Sequence, residues 1–267
     1  LAGFLCFTGI FFFDSMAQKT VDENIVLGKP TKNSVLVHML VAVGTEVAVE
    51  YGPGSGVYTD KTDAIYSAAD GVTGFMTSSN GIILQSKAMN NEGEGFYLDG
   101  GRVDNSISSG NGASGFTVNG GATVNHSNAS DNYLGFISSN GIIENSVASE
   151  NTVTGFIIFS AASIKDSHSF NNGEDGFLIF NNPLVRNLVA EGNNHNGFNL
   201  TNSTIVDSTA DSNGMSGFHI SDDTIVFAGE SSNNGAAGFY VDNSKVYLSN
   251  SHHNFGFGFY LPTDANL

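Results

Sequence analysis

The sequence predicts an all-β chain, dominated by a parallel β-helix of about ten coils with 20–21 residues per coil over residues 67–267. Three observations predict it. Ten Gly-Phe pairs recur at intervals of 20 or 21 residues, their phenylalanines being Phe75, Phe96, Phe116, Phe136, Phe156, Phe177, Phe198, Phe218, Phe239 and Phe259. So short a fixed period means one unit stacked many times, each burying its apolar face only against its neighbours. Alignment on the pairs exposes further columns, including an asparagine at every one of nine successive rungs: Asn91, Asn111, Asn132, Asn151, Asn172, Asn193, Asn213, Asn234 and Asn254. Finally, Gly, Asn and Ser are abundant and no 3.6-residue apolar period persists, which disfavours helix.

Taken in chain order, residues 1–17 come first. LAGFLCFTGIFFF is too short to span a membrane comfortably, and Ser15-Met16-Ala17 supplies the small residues of a cleavage site. This reads as the back half of a secretory signal peptide cut after Ala17, with a truncated upstream end; a buried core strand is the alternative. Cys6, the one cysteine, lies inside it, so the mature chain is expected to lack disulfides, thiol nucleophiles and Cys-based metal sites. Residues 18–66 follow as a separate β segment. Lys32 to Val41 alternates loosely and Glu46 to Tyr51 alternates well, with Gly44-Thr45 as a turn between them.

Each coil then repeats three short strands. After Phe, the second residue is usually apolar (Leu98, Val118, Ile158, Ile179, Leu200, Ile220, Val241, Leu261), the period-two pattern of a half-buried strand. Seven or eight residues rich in Asn, Gly, Asp and Ser separate Phe from an aliphatic column running from Ile83 to Val246, and nearly all length variation falls there. A mostly serine column (Ser86 to Ser249) lies three residues on, and an Ala/Ser column (Ala88 to Ser251) two further. Phenylalanines and aliphatics are expected inside. An inward asparagine at a corner would satisfy peptide groups that are otherwise costly orphans. Nothing near Leu267 resembles a cap, so the natural protein is expected to continue.

The pattern N-x-x-x-G-F-x-[VIL], followed by an aliphatic residue and S-x-[AS], resembles the right-handed parallel β-helix repeat superfamily, with its pectate-lyase-like, alginate C5-epimerase-like and NosD-like members. The resemblance covers about residues 67–267 and implies the right-handed winding. Because that fold hosts lyases, epimerases, hydrolases, adhesins and phage spikes, it names no activity. The segment from Pro30 to Thr62 is similar to the first half of a fibronectin type III domain over residues 25–64; a cap over the first coil is the alternative.

Charge narrows the partners. Twenty-six acidic against nine basic residues give a net charge of −17. Nucleic acid, which needs Lys and Arg clusters, is not expected as a partner. A bare polyuronate would feel long-range repulsion. No cofactor is expected; scattered surface calcium stays open, without assigned residues.

Stacking also says which side chains share a face. One and three residues after Phe point outward, which brings His219, Tyr240 and Asp242 together as candidate catalytic residues: His219 and Tyr240 as a proton-transfer pair with Asp242 beside it. A uronate lyase or epimerase would also need a group neutralising the carboxylate, and neither Arg102 nor Arg186 falls beside His219. The middle coils put Ile137, Ile157, Phe159, Leu178 and Phe180 on the same face, an apolar patch suited to a polysaccharide or to another protein domain or chain. His252 and His253, adjacent on a strand, are expected to point oppositely and to share no metal. No coil exceeds 21 residues, so no inserted loop walls a cleft. The expected protein is a secreted or cell-surface binding, adhesive or structural module acting on carbohydrate, and the alternative is a polysaccharide lyase or C5-epimerase.

Overall fold

The computed structural model describes residues 73–262 apart from 160, 182 and 183, with the backbone alone at 78–80 and in three short strands, Ile25–Leu27, Val37–Met39 and Tyr66–Ala68. The chain divides into two compact units, Leu1–Thr62 and Asp63–Leu267. In the first, Ile25–Leu27 pairs antiparallel with Val37–Met39. The signal peptide (1–17), the Glu46–Tyr51 strand and most of the fibronectin-like segment lie outside the described residues. The second unit is a parallel β-solenoid in which 25 strands join one hydrogen-bonded system.

Every coil contributes to three sheets, and each strand pairs with its equivalent one coil away. Phe156–Ile158 lies between the strands of Phe136 and Phe177. Ile142–Glu144 lies between Thr123–Asn125 and Ser163–Lys165, and Val147–Ser149 between Asn128–Ser130 and His168–Phe170. These are called below the Gly-Phe, aliphatic and Ala/Ser sheets. Two of the three corners turn on a left-handed residue at a constant position. The residue before the serine column, from Gln85 to Leu248, is left-handed in every coil with φ of 48–54°. The residue before the asparagine column, from Asn90 to His253, is also left-handed, with φ of 54–69°. Asn, Asp and Gly enter that region readily, but Leu248, Ala228 and Glu150 do so at about 1–2 kcal/mol each.

What holds these corners is the stack. Each ladder asparagine donates from Nδ2 to the Oδ1 of the next at 2.7–3.2 Å. The same Oδ1 accepts the preceding asparagine's backbone N–H at 2.9–3.1 Å. From Asn111 onward, Nδ2 also reaches back to a carbonyl of the Ala/Ser column one coil earlier, at 3.1–3.2 Å. One side chain thus ties three coils together while buried, and no amide atom is wasted. A lesser ladder serves the other corner: Ser106, Ser127, Ser146 and Ser167 each accept the backbone N–H of the preceding serine at 3.1–3.3 Å. Each of these hydroxyls donates to the carbonyl two residues before it.

The ten phenylalanines form a continuous stack, with centroids 4.6–5.0 Å apart and planes within 12° of parallel. That spacing, imposed by strand pairing, exceeds the contact distance of aromatic carbons at about 3.5–4.0 Å, so the rings sit offset, their preferred parallel arrangement. Glycine precedes each ring from Phe75 to Phe239 because of crowding, not conformation. A Cβ on Gly155 would lie 2.8 Å from the carbonyl oxygen of Gly176 and 2.9 Å from Nδ2 of Asn172. In the residue-two column, Thr77 and Ser138 replace the usual aliphatic, and their hydroxyls donate to Gly100 and Val118 carbonyls at 2.9 Å.

Two stability predictions follow from this packing. Asn151→Ala removes the acceptor of both Asn132 donors and the donor to Asn172 and Ala129. At about 1–3 kcal/mol per stranded group it should cost about 3–5 kcal/mol, whereas exposed Ser139→Ala should stay within about 0.5 kcal/mol; urea unfolding measures both. His168, half-buried on the outer side of the Ala/Ser sheet, has its Nε2 enclosed, without a hydrogen-bond partner among the described residues and 3.6 Å from a Glu191 carboxylate oxygen. Burial lowers its pKa below the usual 6.5, against the opposing pull of Glu191. A group with a depressed folded pKa contributes stability above its unfolded pKa and loses it as pH falls through the folded value. The thermal midpoint should therefore drop on acidification below about pH 6.5, and His168→Gln should flatten that drop.

Candidate functional site

The Gly-Phe sheet presents its first outward column in strict register: Met76, Tyr97, Thr117, Ile137, Ile157, Leu178, Asn199, His219, Tyr240 and Tyr260. The structure brings the five residues of the apolar patch together. Ile137, Ile157 and Leu178 are half-buried neighbours, and Phe159, 39% exposed, stacks on Phe180 with centroids 5.7 Å apart. His219 and Tyr240 also meet, rings 4.6 Å apart and inclined at 41°, and Tyr240 continues to Tyr260 at 5.3 Å. Asp242 is exposed two residues along from Tyr240, and among the described residues no hydrogen bond joins it to either ring. The three candidate catalytic residues are neighbours on an open surface, without a hydrogen-bonded relay between them.

His252 and His253 require a correction. Adjacent strand residues point oppositely, but His253 occupies a left-handed corner with φ of 54°, which swings its ring back. The two Nδ1 atoms lie 2.9 Å apart and the rings meet edge to face. Even so, among the described residues no three His, Cys, Asp or Glu side chains converge as a metal site.

The aliphatic sheet carries a feature that the repeat columns did not reveal. Its outward residues Glu144, Lys165, Arg186, Val206, Phe227 and Tyr247 follow one another coil by coil. Lys165 pairs with Glu144 at 3.2 Å. Arg186 stands directly beside Lys165, exposed, and has no carboxylate partner among the described residues. Like charges placed in register repel one another; Glu144 offsets the Lys165 side of this pair, and the Arg186 guanidinium faces solvent. A shallow groove of about 230 Å3 runs here, lined by Ser163, Ile164, Lys165, Leu184 and Arg186. Phe227 and Tyr247 expose 41% and 47% of their surfaces further along the same column. The other arginine, Arg102, is held by Asp104 at 2.6 Å and borders an open glycine-lined groove of about 450 Å3. The sequence signal for the Lys165–Arg186 pair is the residue that follows each aliphatic rung, on a different sheet from the Gly-Phe strand that defines the repeat.

No known family profile matches the chain, and no curated protein matches it significantly. Solved structures do. The pectate lyase Pel9A is 15% identical and superposes with a TM-score of 0.53 over 74% of this chain and 78% of that one. The periplasmic alginate epimerase AlgG, also 15% identical, superposes with a TM-score of 0.49 over 70% of this chain. A variant of that epimerase reaches 0.53. The chain spans about three-fifths (59%) of the epimerase's length. Among the described residues no helix is long and apolar enough to cross a membrane. Stacked phenylalanines, asparagine ladder and superposition agree: the described residues of 73–262 form a parallel β-helix, the fold that the pectate lyase also has.

Proposed function

We propose that this β-helix is a glycan-binding module of a secreted or cell-surface protein, and that it holds an acidic polysaccharide along the outer side of its aliphatic sheet. The observation that carries this reading is the in-register pair Lys165 and Arg186, aligned with the exposed rings of Phe227 and Tyr247. A guanidinium grips a carboxylate bidentately and an ammonium adds a point charge, while exposed rings receive the apolar faces of sugars. Lys165 and Tyr247 are four coils apart, roughly 19 Å at about 4.8 Å per strand, a length suited to several sugar units. The solved structures that share this fold include a variant of an alginate epimerase and a pectate lyase, both named for acidic polysaccharides. The net charge of −17 opposes long-range approach, so the proposed binding is slow to form and modest in affinity. Titration calorimetry with oligogalacturonate and oligomannuronate should detect binding absent with a neutral glucan. Arg186→Ala should weaken it roughly tenfold or more, the usual value of a charge-assisted hydrogen bond. Equal affinity for the neutral glucan, or none for either uronan, defeats the proposal.

A second reading, a polysaccharide lyase or C5-epimerase, is favoured by the contact between His219 and Tyr240. Under the binding-module reading, incubation with polyuronates produces neither unsaturated-uronate absorbance nor C5 inversion. Turnover abolished by His219→Ala or Tyr240→Phe would establish the enzyme instead.

A further inference from the structure

The outer side of the Gly-Phe sheet is not used by the glycan reading, and its chemistry is unusual for this chain. In a protein of net charge −17, the column from Met76 to Tyr260 contains no Asp, Glu, Lys or Arg. Both of the other sheets carry charged side chains on their outer columns, such as Glu144 and Lys165 on one and Glu191, Asp211 and Glu230 on the other. Two copies of so acidic a chain repel one another over most approaches; along this column no carboxylate stands, and the exposed Asp99 and Asp242 lie in the neighbouring outward column, toward the two ends of the stack.

The order along the stripe is also symmetric in character about Ile157. One coil away on either side stand Ile137 and Leu178, two coils away Thr117 and Asn199, three away Tyr97 and His219. An isologous two-fold contact centred there sets each of these residues against the one equally far on the other side, because residue i of one copy meets residue j of the other and j meets i, and every such pair is compatible: apolar on apolar, hydroxyl on amide, phenol on imidazole. We infer that this face is a self-association surface, on which a second copy of the chain packs antiparallel with the two-fold axis at the coil of Ile157. Both faces repeat at one strand spacing, so coils align with coils along the contact.

Charge selects this register over its neighbour. With the axis at Ile157, Phe159 meets its own equivalent, and Asp99, three coils from the axis, faces the hydroxyl of Ser221. Moving the axis half a coil, between Ile157 and Leu178, would set Asp99 against Asp242, both exposed carboxylates. Ile137, Ile157, Leu178, Phe159 and Phe180 then form the dry centre, and Thr117 faces Asn199 at its polar rim. His219 comes to lie against the partner's Tyr97, so this dimer and an open catalytic surface at His219 exclude one another.

Sedimentation velocity on the full chain, from micromolar to sub-millimolar concentration, should show a monomer–dimer equilibrium. Ile157→Lys places two ammonium groups against each other on the axis and should weaken the dimer by about a hundredfold or more, with unchanged far-UV circular dichroism; Phe159→Asp is the second variant should the first misfold. A short bismaleimide should crosslink Ile157→Cys in a Cys6→Ser background into a dimer, since a residue in the axis coil meets itself across sheets packed about 10 Å apart, a gap too wide for a disulfide, whereas Thr201→Cys, two coils from the axis, should not crosslink. A chain monomeric throughout overturns the inference, as does a dimer indifferent to both variants. Glycan titration of the Ile157→Lys monomer keeps the two conclusions separate, because Lys165 and Arg186 lie on another sheet.

Discussion

In a parallel β-helix every interior side chain has its own equivalent for a neighbour, one strand spacing above and below. A residue type is therefore tolerated only if it stacks well on itself at that distance, and this constraint organises the molecule. Phenylalanine meets it by sliding each ring to an offset contact. Asparagine meets it because an amide is a donor at one end and an acceptor at the other, so a column becomes a hydrogen-bonded chain with no unpaired end inside. Serine does the same with one hydroxyl, accepting from one coil and donating within its own. Glycine before each ring is the space left over once these columns have closed on one another.

The corners show what the ladders are for. Left-handed residues at two constant positions, joined in most coils by others in the turn after the Gly-Phe strand, let a chain of 20 or 21 residues turn through a full circuit, and several of them, Leu248 among them, are residues that resist that conformation. The buried amide column lies immediately after one such corner and the hydroxyl column immediately after the other. Each captures the backbone N–H that the bend would otherwise strand. Local strain and buried polarity are thus two parts of one device, spread along the stack so that no single coil bears much of it.

Outside the barrel wall the same repetition turns single residues into rows. On one sheet it brings two cations side by side and continues into exposed rings; on another it builds a neutral, largely apolar stripe on an acidic protein. Neither surface has inserted loops to enclose a ligand, which favours extended partners that lie along the axis over small molecules that need a pocket. A polymer and a second solenoid share that shape, and the two faces differ in the charge that would select between them.

The fold was legible in the amino-acid order because its interior columns repeat with almost no substitution: a phenylalanine or an asparagine at each rung reports its own neighbours. The adjacency of His219 with Tyr240 and of Phe159 with Phe180 followed directly from that register. Other features were decided only by the folded chain. The left-handed corners pass through Gln, Asn, His, Asp, Ala and Leu alike, since backbone pairing and not residue type holds them there, and this is why the rings of His252 and His253 meet after all. The Lys165–Arg186 pair escaped notice because outward positions vary freely from coil to coil, so their meaning lies in which neighbour the stack supplies. Identity along the chain determined the inside; proximity across coils determined the surface.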